Sequence, residues 1–157
     1  MADRDQIQAE MKPPWRGFHH IALVTPDLDA KIELYRDILG MTVLFTAPPT
    51  EINGRHAAIL PGEGYLGLHF FEQSDAELFT PPDPATLYWL PGALHHISFA
   101  LSDEAAAHTL RERLQSQGIA MTDIMRQRDT TYNMLFQDNN GMLLEAAWEE
   151  PVTASQP

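Results

Sequence analysis

The sequence predicts an α+β fold built from two βαβββ modules, and an internal repeat is the first observation behind that prediction. The segment GFHHIALVT, which begins at Gly17, recurs as ALHHISFAL from Ala93. The second histidines of the two copies, His20 and His96, are 76 residues apart (96 − 20). The second observation is that predicted helices and strands follow both copies in the same order. One folding unit is therefore used twice.

Each copy alternates between large and small side chains, as in a strand with two different faces. In the first copy His19 shares one face with Ile21 and Leu23. His20 shares the opposite face with the smaller Ala22. The bulky face suits packing against a helix, so the second histidine of each copy should face a ligand. By the same pattern we expect His19 and its counterpart His95 to be partly buried structural histidines.

A helix and three strands are predicted after each copy. Thr25-Pro26-Asp27 is typical of a helix start with Thr25 as its cap, and Gly40 should end that helix. Its apolar stripe comprises Leu28, Ile32, Tyr35 and Leu39. The second helix is predicted over 103–117. Turn sequences delimit strands near 41–47, 54–60 and 65–72 in the first half, and near 120–127, 131–137 and 142–148 in the second.

These elements divide the chain into five predicted segments. They are an N-terminal arm (1–16), a first module (17–73), a Pro-rich linker (74–93), a second module (94–149) and a tail (150–157). The late side chains His69 and Glu145 are related by the same offset of 76 residues (145 − 69). Metal-capable side chains therefore recur both early and late in the two modules.

The composition excludes several classes of partner and of metal ligand. The net charge is −12 with only ten Lys and Arg residues, which argues against nucleic acid or an anionic membrane as a partner. There is no apolar run long enough to span a membrane and no recognisable leader, so we expect a soluble, cytoplasmic protein. With no cysteine, any metal must be held by histidine and carboxylate.

Three motifs resemble one known family. They are His20-Ile21-Ala22-Leu23 followed by Asp27-Leu28-Asp29, then LYRDILG over 34–40, and FQDNNGMLLE over 136–145. Over roughly Gly17 to Trp148 the chain is similar to the vicinal-oxygen-chelate superfamily of glyoxalases, bleomycin-resistance proteins and dioxygenases. The resemblance implies that the two modules form a cupped mixed sheet. A divalent metal at its base would chelate neighbouring oxygens of a small-molecule substrate.

The resemblance also implies a ligand set. It assigns the metal to His20, His96 and Glu145, with His69 as a fourth ligand and Glu145 as a possible general base. Imidazole nitrogen and carboxylate oxygen suit Fe, Ni, Zn or Mn. In short two-module relatives a partner subunit often completes the cup. A homodimer would then bring His20 and His69 of one chain to His96 and Glu145 of the other.

Three functions stay open. We favour a metal-dependent glyoxalase-like lyase or isomerase, although bacterial glyoxalase I carries a carboxylate where this chain has His69. A metal-dependent dioxygenase is the first alternative, because two histidines and one carboxylate suit it. However, extradiol dioxygenases have tyrosine at the position of Leu135. A metal-free drug-binding resistance protein is the second alternative, and the four metal-type side chains argue against it.

Other polar residues are candidates for contact with the substrate. They are Tyr132, Arg55 and Arg126, together with Tyr65 and Arg128. We expect His56 and His108 to be exposed instead.

Overall fold

The computed structural model describes residues 17–64, 66–78, 91–128 and 130–150, which contain two four-stranded sheets. The strand order of the first sheet is β1 (His20–Thr25), β4 (Gly67–Glu72), β3 (His56–Leu60) and β2 (Thr42–Ala47). The order of the second is β5 (Ile97–Ala100), β8 (Leu143–Glu149), β7 (Thr131–Gln137) and β6 (Met125–Arg126). In both sheets the first pair is parallel and the others are antiparallel. The predicted α+β class is confirmed.

Several predictions concern residues outside these ranges. The N-terminal arm, residues 79–90 of the predicted linker, Tyr65, and residues 151–157 of the predicted tail all lie outside the described residues. Within the described ranges, neither helix combines the length and the apolar character needed to cross a membrane.

The first helix begins two residues later than a Thr25 cap would require. Helix α1 (Leu28–Ile32) is capped by Asp27, whose side chain accepts a hydrogen bond from the Ala30 amide at 2.9 Å. Thr25 is instead the buried last residue of β1, and its hydroxyl group bonds to the backbone of Asp27. The prediction of Thr25 as the cap was therefore wrong.

The first helix also changes its winding. After α1 the chain continues as a π-helical segment (Glu33–Ile38), in which the Leu39 amide donates to the Leu34 carbonyl at 2.9 Å. The wider turn places Leu34 in the core, which a regular helical period did not predict. Three of the four predicted stripe residues are buried, namely Leu28, Ile32 and Tyr35.

The second helix matches its prediction closely. Helix α2 (Glu104–Ser116) begins after Asp103, whose carboxylate caps the Ala106 amide at 2.8 Å. Ala107 and Leu114 are fully buried.

Both modules contribute to one hydrophobic core. It lies between the helices and the inner face of each sheet, where alternate strand residues are buried. In β1, Ile21 and Leu23 pack against this core as predicted. Its members include Leu28, Tyr35, Ile59, Leu68, Phe70, Leu114, Met134, Phe136 and Leu144.

The opposite face of each sheet carries three of the candidate ligands, His20, His69 and Glu145, and we call it the open face. In the first sheet, Ala22 pairs with His69, which pairs in turn with Ala58, so these residues share that face. In the second, Ser98 and Leu135 both pair with Glu145. The open face of the first sheet includes His20, Ala22, Phe45, His56, Ala58, His69 and Phe71. That of the second includes Ser98, Ala100, Asn133, Leu135, Glu145, Ala147 and Glu149.

Gly67 sets the register of β4 opposite His20. Its φ is +61°, and a Cβ there would lie 2.6 Å from the Ile59 carbonyl oxygen. Only glycine tolerates both conditions. The tight approach lets β4 begin beside β3 and carries His69 into line with Ala22.

A buried ionic group joins the modules. The Lys31 ammonium lies 2.8 Å from Asp138 Oδ2, and the Tyr35 hydroxyl donates to the same oxygen at 3.1 Å. The Lys31 and Asp138 side chains are 1% and 2% exposed. Asp138 Oδ1 accepts from the amides of Asn140 and Met142. Burial lowers the pKa of Lys31, and the Asp138 carboxylate partly opposes that shift.

We predict that Lys31→Met strongly destabilises the fold. It leaves the Asp138 carboxylate buried without its cation, which typically costs about 3–5 kcal/mol. Urea denaturation measures this loss in the free energy of unfolding.

The matched control is Arg36→Met, which breaks an exposed 2.6 Å pair with Asp37. Its effect should be far smaller because water screens exposed ion pairs. Equal losses in the two variants would contradict the structural role of the buried pair.

Candidate metal centre

The first half of the candidate site is a histidine pair on the open face of the first sheet. The rings of His20 and His69 lie 5.7 Å apart, centroid to centroid. His69 Nε2 is buried and has no hydrogen-bond partner among the described residues. Burial lowers the pKa of His69 below its ordinary value of 6.5, and His56 and His20 lower it further. The neutral ring that results is the form that binds metals.

Aromatic side chains surround His69. Its ring centroid lies 4.3 Å from that of Phe71, 5.2 Å from that of His56 and 5.7 Å from that of Phe45. His56 also stacks on Phe71 at 5.3 Å. The prediction that His56 is exposed was wrong, because its position in β3 directs it onto the open face, where it is half-buried.

The second half of the site is a histidine–carboxylate pair. His96 Nε2 lies 2.9 Å from Glu145 Oε2. The other carboxylate oxygen, Oε1, accepts a hydrogen bond from Asn133 Nδ2. Asn133 is 4% exposed, and its Oδ1 accepts from Gln127 Nε2 at 3.1 Å. These two hydrogen bonds fix the orientation of the Glu145 carboxylate. Neither Asn133 nor Gln127 was identified from the sequence as part of the site.

Small side chains lie beside Glu145. Ser98, Ala100 and Ala147 share its face and line a depression of 350 Å³. The depression extends from these residues to Ser102 and Glu149.

The doublet histidines depart from the prediction. His19 and His95 are exposed rather than partly buried. The first ladder residues are His20 in β1 and Ile97 in β5, so the strand alternation does not extend back to either histidine. His19 Nδ1 lies 2.8 Å from His20 Nδ1, and His95 Nδ1 lies 2.6 Å from His96 Nδ1.

A single chain brings the four ligand candidates together as two pairs. Among the described residues, no three His, Asp or Glu side chains are grouped closely enough to hold a metal ion. The donors themselves fit a divalent metal. Three imidazoles and one carboxylate are a set that such metals accept, and His69 Nε2 is a buried nitrogen with no hydrogen-bond partner among the described residues.

The predicted substrate-contact residues lie elsewhere. Tyr132 stacks on Trp148 with ring centroids 5.9 Å apart, on the face of β7 and β8 opposite Glu145. Arg126 pairs with Tyr132 in the ladder and shares that face. The Arg55 guanidinium group makes two contacts with the Asp29 carboxylate in α1, at 3.0 and 2.6 Å. Arg128 is exposed between β6 and β7.

Solved structures similar to this chain share its fold. A glyoxylase/bleomycin resistance protein/dioxygenase domain from Frankia sp. EAN1pec is 24% identical, with a TM-score of 0.70 over 88% of this chain and 95% of that one. A lactoylglutathione lyase from Agrobacterium tumefaciens is 21% identical (TM-score 0.58; 87% and 96% covered). TnmS3, an antibiotic binding protein from Streptomyces sp. CB03234, is 15% identical (TM-score 0.61; 88% and 100% covered). At these identities the likeness extends to the fold alone.

Family membership is established by sequence. No curated protein matches the chain. However, the family model described as Glyoxalase/Bleomycin resistance protein/Dioxygenase superfamily matches residues 17–146, which include both histidine doublets and Glu145. The chain therefore belongs to the glyoxalase/bleomycin resistance protein/dioxygenase superfamily.

Proposed function

We propose that this protein is a metal-dependent enzyme that catalyses proton transfer, in the style of a glyoxalase-like lyase or isomerase. Its substrate is a small molecule that chelates a divalent metal through neighbouring oxygens. The ligands are His20, His69, His96 and Glu145. The observation that carries this proposal is the buried His69 Nε2, which has no hydrogen-bond partner among the described residues. The lowered pKa of His69 also favours the neutral ring, which is the form that binds metals.

Each site is shared between two chains in this proposal. One chain supplies His20 and His69, and the second supplies His96 and Glu145. Strand β1 begins at His20, and strand β5 follows His96. Both are edge strands of their sheets, so each leaves one side on which another chain could lie. The open faces also lie outside the core that the two modules share. A homodimer with two composite sites follows.

The metal and the residues of the chain have different roles in the proposed reaction. A bound divalent ion acidifies a coordinated hydroxyl group or a carbon next to a coordinated carbonyl group. Glu145 is the residue placed to accept such a proton, because its carboxylate lies within the ligand set and is oriented by Asn133. Its neighbours on the open face, Ser98 and Ala147, have small side chains, which favours access of a small substrate to the carboxylate.

Elemental analysis of protein purified without chelator distinguishes this proposal from its alternatives. Ni or Zn supports proton transfer. Fe, together with substrate-dependent consumption in an oxygen electrode, supports a dioxygenase. Failure to bind any added divalent metal supports a binding protein, which is what TnmS3 is.

We predict that mixing two inactive variants restores metal binding. His20→Ala and His96→Ala chains are unfolded mildly together and refolded. In a heterodimer one composite site receives both substitutions and the other receives neither. With random pairing, about a quarter of all sites should be intact. Equilibrium dialysis with Ni²⁺ measures this recovery, and the separately refolded variants are the control. No recovery would place each site within one chain.

We also predict that Glu145→Gln lowers turnover more than His69→Ala. The amide removes both a charged ligand and the base, whereas water can replace one imidazole. Turnover and metal content are measured together. The matched control is Glu149→Gln on the same strand and the same face, where the carboxylate bonds to Thr130 and Thr131 instead. Equal turnover in the Glu145 and His69 variants would refute these roles.

Metal-free protein should lose stability in acid through His69. Because its folded pKa lies below the ordinary value of 6.5, the unfolded state binds more protons, and the free energy of unfolding falls as pH drops below that value. His69→Leu should flatten this fall between about pH 7.5 and 5. Urea denaturation in chelator measures it, with His108→Leu on α2 as the reference for losing an exposed histidine. An unchanged pH dependence in His69→Leu would contradict the assignment.

A further inference from the structure

The same contact occurs at the start of both modules. In each histidine doublet the two Nδ1 atoms lie within hydrogen-bond distance, 2.8 Å for His19 and His20 and 2.6 Å for His95 and His96. A bond between two imidazole nitrogens requires one to donate and the other to accept. The doublet therefore fixes the tautomer of its second ring relative to its first.

The contact also decides which nitrogen of the second ring faces the site. With Nδ1 engaged, His20 and His96 have only Nε2 left for another partner. In the second module that atom already lies 2.9 Å from Glu145 Oε2. A histidine that binds a metal generally needs such a partner on its other nitrogen to hold the ring in orientation.

We propose that His19 and His95 are positioning residues, each of which orients the following histidine through an Nδ1 to Nδ1 hydrogen bond so that Nε2 is presented to the site. The inference rests on the proposed function for the identity of the ligand. The hydrogen bonds themselves belong to the metal-free protein.

An imidazole suits this role better than a backbone carbonyl group does. A singly protonated His96 ring that donates from Nε2 to Glu145 can only accept at Nδ1, so His95 would donate to it. With a metal held at Nε2, the single proton would sit on Nδ1 and would be donated to His95 instead. A carbonyl oxygen can only accept, whereas an imidazole serves in both states.

The proton balance of this exchange closes. Nε2 of His96 loses one proton to solvent, and the proton on His95 Nδ1 moves to His96 Nδ1. Nε2 of His95 then takes one proton from solvent. The two rings together carry the same number of protons before and after, so the hydrogen bond is kept while its direction reverses.

Two substitutions separate the hydrogen bond from the bulk of the ring. His19→Phe and His95→Phe keep a planar ring and remove both nitrogens. His19→Asn and His95→Asn lose the ring but place an amide, which can accept or donate, near the former Nδ1. His108→Phe on α2 is the control for an added exposed phenyl ring. The dissociation constant for Ni²⁺ is measured by competition with a chromophoric chelator, and the visible spectrum of Co²⁺-loaded protein reports ligand geometry.

We expect each Phe variant to bind Ni²⁺ roughly 10–100-fold more weakly than the wild type, with a changed Co²⁺ spectrum. The Asn variants should recover most of the affinity, and His108→Phe should match the wild type. Phe variants with wild-type affinity would overturn the inference while leaving the proposed ligands in place. Asn variants as weak as the Phe variants would also overturn it, because the ring rather than the hydrogen bond would then matter.

A second measurement needs no metal. In uniformly ¹⁵N-labelled, metal-free protein above pH 8, a scalar coupling across the hydrogen bond should connect the two Nδ1 atoms of each doublet. Absence of this coupling in both doublets would refute the inference even if the protein binds no metal. Its presence in protein that binds no metal would support the hydrogen bonds and reject the proposed function.

Discussion

The buried pair of Lys31 and Asp138 fixes how the two halves of the protein meet. Lys31 belongs to the helix that follows β1, and Asp138 begins the turn that leads into β8. β1 carries His20, and β8 carries Glu145. One ionic contact therefore couples the positions of the two half-sites across the shared core. An isolated buried charge is costly, so Asp138 is saturated by an ammonium group, a hydroxyl group and two backbone amides.

Much of this fold could be predicted because the same pattern of strand, helix and turn residues occurs twice in the sequence. Strand alternation in the repeat placed Ile21 and Leu23 against the core, and turn residues delimited most strands. The π-helical segment after α1 was not predictable, because it depends on how the helix packs rather than on its residues. The cap at Asp27 was missed for a similar reason. Thr25 has a suitable side chain, but burial at the end of β1 commits it elsewhere.

The metal-type residues and their surroundings differ in how far sequence could identify them. His20, His69, His96 and Glu145 were singled out by the 76-residue offset and the family resemblance, and their role as ligands stays a prediction. Tyr132 was misplaced because its face depends on the register of the β7 and β8 hairpin, in which Leu135 pairs with Glu145 and Tyr132 lies three residues further along.

The hydrogen-bond partners of the candidate ligands were beyond sequence reasoning. Asn133 and the doublet histidines act through ring and amide orientations that only side-chain geometry reveals. Composition alone cannot distinguish such a partner from any other polar residue.

Symmetry explains why an assembly of two chains would combine unlike half-sites. The first open face offers two imidazoles, and the second offers an imidazole and a carboxylate. A two-fold axis between chains can pair the first module of each chain with the second module of the other, which gives two identical sites with one carboxylate each. Pairing like with like would give one site of four imidazoles and another of two imidazoles and two carboxylates. Only the first arrangement gives both bound cations the same ligands and the same ligand charge. The difference between the two half-sites is therefore itself a reason for unlike half-sites to pair across the dimer.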